Sequence, residues 1–296
     1  MKQFNILAVS QLSRNFALNH KYRQTEQMKI RILTLFTLLV FAIPALPQMM
    51  VTHPWSGKRV AYFGDSITDP KNKASKQKYW NFLQEWLGIT PYVYGRSGRQ
   101  WNDIPRQADL LQKEHGDDFD AIMIFMGTND FNAGVPVGQW YTEKVEKVLA
   151  AVHAPKDSVM RLKRSFVYSD STFCGRINKA MALLKKRWPT KQIVVLTPIH
   201  RAYFYGSETN IQPTEEYQNK CGEYFSTYVE KVKEVSNVWA VPVIDVNATS
   251  GLYSVFDETA VNYHNLANDR LHPNDHGQMR LARTLEYQLL ALPCVF

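Results

Sequence analysis

Ser66 stands where an apolar run stops. The stretch VAYFGDSITDP, Val60 to Pro70, begins strand-like and ends in small polar residues. A serine there can cap an ordinary turn or serve as a nucleophile on a rigid edge, and Gly-Asp-Ser alone fits both. A nucleophilic serine needs a base, a carboxylate to orient that base, and donors for the oxyanion that develops. DRLHPN supplies His272 as the base and, three residues earlier, Asp269 as the carboxylate, so that one short turn presents both. The donors would be the backbone N–H of Ser66, the backbone N–H of Gly98 in YGRSGRQW and the side-chain amide of Asn129 in GTND. Glycine at position 98 lets the backbone approach a substrate with no Cβ in the way. The chemistry these residues could perform together is acyl transfer.

For this to happen, four segments distant in sequence must meet. Apolar runs alternate with helical patterns along the chain. RVAYF (Arg59 to Phe63), YVY (Tyr92 to Tyr94), AIMIFM (Ala121 to Met126), QIVVLTP (Gln192 to Pro198) and AVPVIDV (Ala240 to Val246) read as strands. Helical patterns cover about Lys76–Leu87, Asp103–Glu114, Thr172–Trp188, Glu215–Val235 and Asp275–Leu292. This alternation predicts a three-layer, doubly wound α/β domain with a parallel sheet covered on both faces. Ligands in such sheets bind beyond the carboxyl ends of the strands. GDS, YGRSGRQW and GTND follow three of the strands and DRLHPN precedes the last helix, so all four are expected on one rim.

The blocks GDS, SG, GTND and DxxHP, in this order and spacing, resemble the SGNH/GDSL hydrolase family. The resemblance spans about Val60 to Leu290 and matches that family's serine, glycine, asparagine and histidine to Ser66, Gly98, Asn129 and His272, with Asp269 as the triad acid. It implies a flavodoxin-like fold with five parallel strands. It also implies ester hydrolysis through a serine acyl-enzyme, with no metal or cofactor. Asp65 is expected to be structural, bonding within its turn. One departure from the family is a long segment, 131–171, read as an insertion or lid with a helical piece at TEKVEKVLAAV.

The net charge of +8 suggests nucleic acid until its distribution is examined. Residues 1–47 hold Lys2, Arg14, Lys21, Arg23, Lys29 and Arg31 against Glu26, a net of +5, which leaves +3 for the remainder. No basic stripe persists, so nucleic-acid binding is not expected. From Met28 the order is basic, apolar (Ile32 to Ile43), then small and proline residues, as in a secretory signal over about 28–47, too short to span a membrane comfortably. The expected organisation is thus an extension and signal over 1–47, then one hydrolase domain over 48–296. The product is expected in the periplasm or outside the cell, with no lasting membrane anchor. Cys174, Cys221 and Cys294 form no C-x-x-C pair, which argues against zinc; buried free thiols are expected.

The expected activity is a serine esterase acting on short acyl groups, acetyl above all, on a small-molecule or glycan ester. Alternatives are an O-acyltransferase to sugar hydroxyls, a lipase or lysophospholipase-type acylhydrolase, and a non-catalytic glycan-binding module. Trp101, Tyr203, Phe204 and Tyr205 follow rim segments and could offer a stacking platform for sugar, or simply pack.

Overall fold

A computed structural model describes residues 21, 23–31, 33, 52–151, 157–292 and 296. The chain divides into two compact units, Met1–Thr52 and His53–Phe296. In the first unit residues 21, 23–31 and 33 are helical. Most of the expected signal, including nearly all of its apolar run, lies outside the described residues. Among the described residues no helix is long and apolar enough to cross a membrane.

The second unit is built on a parallel sheet. Its strands are β1 (Arg59–Gly64), β2 (Thr90–Val93), β3 (Ala121–Phe125), β6 (Gln192–Leu196) and β9 (Val243–Ile244). They lie in the order β2-β1-β3-β6-β9, and every pair is parallel. This is the flavodoxin-type order, whose switch point falls between β1 and β3. β3 and β6 are buried at every position, which is why they read as unbroken apolar runs instead of alternating ones.

Successive side chains point to opposite faces. Ala61, Phe63, Ile122, Ile124 and Val195 pack against three helices on one side: α2 (Ile104–His115), α4 (Phe173–Arg187) and α5 (Phe225–Trp239). Val60, Tyr62, Met123, Phe125 and Leu196 pack on the other side against α1 (Tyr79–Leu87) and α7 (Asp275–Ala291). Two short helices remain, α3 (Thr128–Asn132) and α6 (Val246–Thr249).

Two further sheets were not foreseen. β7 (Phe204–Ser207), β8 (Asn210–Gln212), β10 (Tyr263–Asn265) and β11 (Asp269–Pro273) form an antiparallel sheet in the order β10-β11-β7-β8. β4 (Tyr141–Ala150) and β5 (Asp157–Phe166) form a two-stranded ribbon. The expected helix at TEKVEKVLAAV is therefore a strand as far as Ala150, while Val152 lies outside the described residues. Its valines, at positions 145 and 148, share a helical spacing, but pairing with DSVMRLKRSF along ten residues overrides it. The base of the ribbon packs on α5, where Phe166 stacks on Trp239 with centroids 4.5 Å apart. Trp239 ends α5 and leads to the amino end of β9, away from Ser66. Both strands of the ribbon are exposed over most of their length.

Two boundaries also moved. The helix expected from Glu215 starts at Phe225 because Asn219 Oδ1 accepts the N–H groups of Cys221 and Glu223, a local alternative to helical bonding. The last strand shrinks to two residues behind Ala240, whose φ is +51°, and Pro242. Cys174 is buried as expected, but Cys221 is exposed, and Cys294 lies outside the described residues.

Candidate active site

Ser66 sits in the turn after β1, 5 % exposed. That turn is tightly determined. Thr68 fills the space between Gly64 and Gly95: a Cβ on Gly64 would lie 2.3 Å from Thr68 Oγ1, and one on Gly95 2.6 Å from Thr68 Cβ. Neither position has room for a side chain. Gly64 is also held by Gln107 of α2, whose Oε1 accepts the Gly64 N–H at 2.9 Å and whose Nε2 donates to the Gly64 carbonyl at 3.1 Å. Asp65 turns inward, accepting the Ile67 N–H at 3.0 Å. Burial, with the Asp130 charge adding to it, pushes the Asp65 carboxyl up to about 7, against the pull of the Ile67 bond. The structural role expected of Asp65 matches this placement.

His272 and Asp269 lie on β11 rather than in a turn. His272 Nε2 is 2.8 Å from Ser66 Oγ, and its Nδ1 is 3.0 Å from both carboxylate oxygens of Asp269. Asp269 Oδ1 also accepts the N–H groups of Leu271 and His272 at 3.2 and 3.0 Å, which locks the carboxylate beneath the ring. The neighbouring strand braces the pair. Asp269 is in register with Phe204, whose ring meets the imidazole edge-on at 5.2 Å. Gln278 of α7 ties this segment to the serine turn: it donates to the Ile67 carbonyl at 3.3 Å and accepts the Tyr79 N–H at 3.0 Å.

Gly98 lies in the loop after β2 with φ +78°, a left-handed conformation that disfavours any side chain. That loop is fastened to the serine turn by Asp69, whose Oδ2 accepts both the N–H and the hydroxyl of Ser97 at 2.8 and 2.7 Å. Asn129 belongs to α3, just past the end of β3. Its Nδ2 donates to the Arg99 carbonyl at 3.1 Å and to Asp65 Oδ2 at 3.3 Å. The rim is knitted further by Asp130, which accepts the Trp101 N–H at 3.1 Å and Arg176 Nη1 at 2.9 Å. Arg176 in turn donates to Gln100, and Gln100 to the Asn129 carbonyl. Burial raises the Asp130 carboxyl to about 6 despite its bond to Arg176.

Ser66, Asp269 and His272 thus meet in one hydrogen-bonded series, and bonds through Asp69 and Asp65 bring the Gly98 loop and Asn129 to the serine turn. The stacking platform fares otherwise. Trp101 is fully buried and cannot face a ligand; Tyr203 is exposed, and Phe204 supports the histidine. His200 bonds to Glu215 at 2.5 Å and His276 to Asn262 at 2.7 Å, both outside the series. Gln107 and Gln278 escaped sequence reasoning, since a buried amide on a helix face carries no local signature, and Thr68 did because its role is to fill the space between Gly64 and Gly95, which are distant in sequence. Asp69 was within reach, four residues past Asp65 in the same block. A hollow of about 310 Å³ lies beside the Gly98 loop, lined by Gly98, Arg99, Gln100, Asn102 and Asp103. A larger one of about 640 Å³, lined by Trp188, Gln192 and Pro242 among others, sits at the amino end of β6 and is remote from Ser66.

The fold and this rim define an ester-bond hydrolase. The model of the GDSL-like lipase/acylhydrolase family matches residues 62–280, and the chain belongs to that family. Among solved structures it resembles a protein from Lactobacillus plantarum at 22 % identity and TM-score 0.58, covering 79 % of this chain and 97 % of that one. It also resembles a possible lipase from Chitinophaga pinensis at 19 % identity and TM-score 0.57, covering 78 % and 97 %. At such identities the likeness is one of fold. A comparison with curated proteins gives no match.

Proposed function

We propose that the protein is an exported serine esterase that removes short acyl groups, acetyl above all, from a carbohydrate or similar polyol. The observation that carries the mechanism is the series Ser66–His272–Asp269, at 2.8 and 3.0 Å. Ser66 Oγ attacks the ester carbonyl while His272 Nε2 takes its proton, and Asp269 holds the Nδ1 side and stabilises the imidazolium. The oxyanion of the tetrahedral intermediate is received by the N–H groups of Ser66 and Gly98 and by the Asn129 amide. The 3.3 Å bond from Asn129 to Asp65, longer than its bond to Arg99, is the one exchanged for the oxyanion. His272 then gives its proton to the leaving alcohol, and water activated by the same nitrogen releases the acid. No step calls for a metal or a cofactor.

The polyol reading rests on the hollow beside Gly98, whose lining of Arg99, Gln100, Asn102 and Asp103 contributes hydrogen-bonding groups and no apolar side chain. Such a surface suits hydroxyls better than an acyl chain. Export rests on the order of residues over 28–47. A nitrophenyl ester series from acetyl to decanoyl tests the substrate. A lipase gains about 0.8 kcal/mol for each methylene it buries, whereas here kcat/KM should fall beyond butyryl. A rise toward decanoyl would make the protein a lipase, and an acetylated oligosaccharide left intact would remove the carbohydrate assignment.

A further inference from the structure

None of the hydrogen bonds that build the site comes from the ribbon β4–β5, and the ribbon's construction asks for a partner. Ten residue pairs run from Tyr141↔Phe166 to Ala150↔Asp157, and among the described residues no third strand joins the sheet. Two-stranded ribbons are marginal in water. This one leaves Val145, Val148, Leu149, Met160 and Leu162 between 46 and 68 % exposed. Both outer edges present unpaired backbone groups, a ready template for another strand.

We propose that the outer edge of β4 pairs antiparallel with the same edge of a second copy of this chain, about a two-fold axis at Val145. The argument is charge complementarity. In YTEKVEKVLA the segment EKVEK is complementary to its own reverse. With Val145 on the axis, Glu143 lies opposite Lys147 of the second copy, and Lys144 opposite its Glu146. Tyr141 then meets Leu149, Thr142 meets Val148, and Val145 meets itself. Directly opposed residues in an antiparallel pair share a face. Odd positions here oppose only odd ones, so the apolar row of Tyr141, Val145 and Leu149 continues across the join.

Neighbouring registers fail. An axis between Val145 and Glu146 sets Lys144 against Lys147, an axis on Glu146 sets that carboxylate against its copy, and an axis on Lys144 sets the ammonium against its copy. Like charges directly opposed are destabilising. The other edge fails too. β5 carries Arg161, Lys163 and Arg164 within four residues, and pairing about Leu162 sets Arg161 against Lys163. Cationic edges of this kind discourage strand addition.

The ion pairs inside the ribbon fit the same scheme. Glu143 bonds Arg164 at 2.7 Å and Glu146 bonds Lys163 at 2.9 Å. Lys144 and Lys147 have no such partner among the described residues. In the dimer each glutamate would lie between a cation of its own chain and one of the second copy. The result is a four-stranded sheet, β5-β4-β4-β5, closed by its own symmetry.

Sedimentation velocity of the purified protein over a hundredfold concentration range tests this. The wild type should sediment as a dimer. Lys144→Glu/Lys147→Glu makes the β4 edge wholly acidic while sparing the ribbon's own ion pairs, and Glu143→Lys/Glu146→Lys makes it wholly basic. Each should weaken association by at least about tenfold, and an equimolar mixture of the two should restore the dimer. Under mild oxidation Val145→Cys should link to itself, whereas Val148→Cys, which faces Thr142, should not; wild type run alongside accounts for the exposed Cys221. Esterase turnover controls for folding of the hydrolase body in every variant, and recovery of the dimer in the equimolar mixture shows that both altered ribbons remain intact. A monomeric wild type, a dimer indifferent to both charge variants, or equal linking through Val148→Cys would overturn the proposal.

Discussion

The rim around Ser66, assembled where strands end, and the β4–β5 ribbon, which is all strand, are held by opposite means. At the rim each side chain has one place to be, enforced by bonds from residues far away in sequence: Gln107 on Gly64, Asp69 on Ser97, Gln278 on Ile67. The bonds to Gly64 and Ile67 are buried, so a lost partner there leaves a donor or acceptor unsatisfied at about 1–3 kcal/mol. In the ribbon the partners are directly opposite, exposed, and joined by surface ion pairs such as Glu143–Arg164, each of little weight in water. The rim therefore spends its sequence on geometry, and the ribbon on an edge. Substitutions should separate the two cleanly: rim changes act on turnover, ribbon changes on association.

The largest effect should come from the reacting groups. Ser66→Ala or His272→Ala should lower kcat/KM on a nitrophenyl acetate by roughly 10⁴-fold or more while the unfolding midpoint stays close to wild type. A fluorophosphonate probe should label Ser66 and nothing else. Ser66→Ala that retains its turnover, or labelling of another serine, would move the nucleophile elsewhere. A tier lower, Asn129→Ala should cost roughly 10²–10³-fold in kcat, about 3–4 kcal/mol, with KM little changed, because the amide acts on charge present only in the transition state. A fall confined to KM would make Asn129 a substrate-binding group instead.

The same contrast explains what could be read from the sequence. The parallel strands were legible because burial on both faces writes them as apolar runs, as in AIMIF and QIVVL. The rim residues were legible because Ser66, Gly98, Asn129 and the Asp269–His272 pair each stand beside a strand or helix boundary marked by glycine, asparagine or proline. The ribbon was not, since its apolar residues do not alternate strictly with polar ones, and EKVEKV suits a helix equally well until its partner strand is known. β7 and β11 were missed for a related reason. They are four and five residues long, and what makes them strands is pairing with neighbours distant from any local pattern, β7 with β8 and β11, and β11 with β10 and β7.

Gln107 offers the finest probe of how the rim is held. It is a fully buried amide on α2 that touches no reacting atom; its two bonds to Gly64 position the residue from which the Ser66 turn departs. Its Nε2 also reaches Asp103 at 3.0 Å. Gln107→Leu fills the same space but leaves the Gly64 N–H without an acceptor, which should cost about 1–3 kcal/mol. For a domain of this size that is a fall in Tm of roughly 2–12 °C. Turnover should drop by about tenfold or more, since small displacements of a reacting atom are expensive. A purely space-filling role predicts neither loss, so a wild-type Tm and rate in Gln107→Leu would refute the positioning role. Gln107→Glu separates packing from hydrogen bonding. When protonated, the glutamic acid can both accept from the Gly64 N–H and donate to its carbonyl, as the amide does. Ionised, it can only accept, and its charge faces both that carbonyl and Asp103. Its activity relative to wild type should therefore be highest at low pH and decline as pH rises through the carboxyl's titration, while the Leu variant stays uniformly low. A Glu variant that tracks the wild-type pH profile would mean that the bond to the Gly64 carbonyl contributes nothing to placing Ser66.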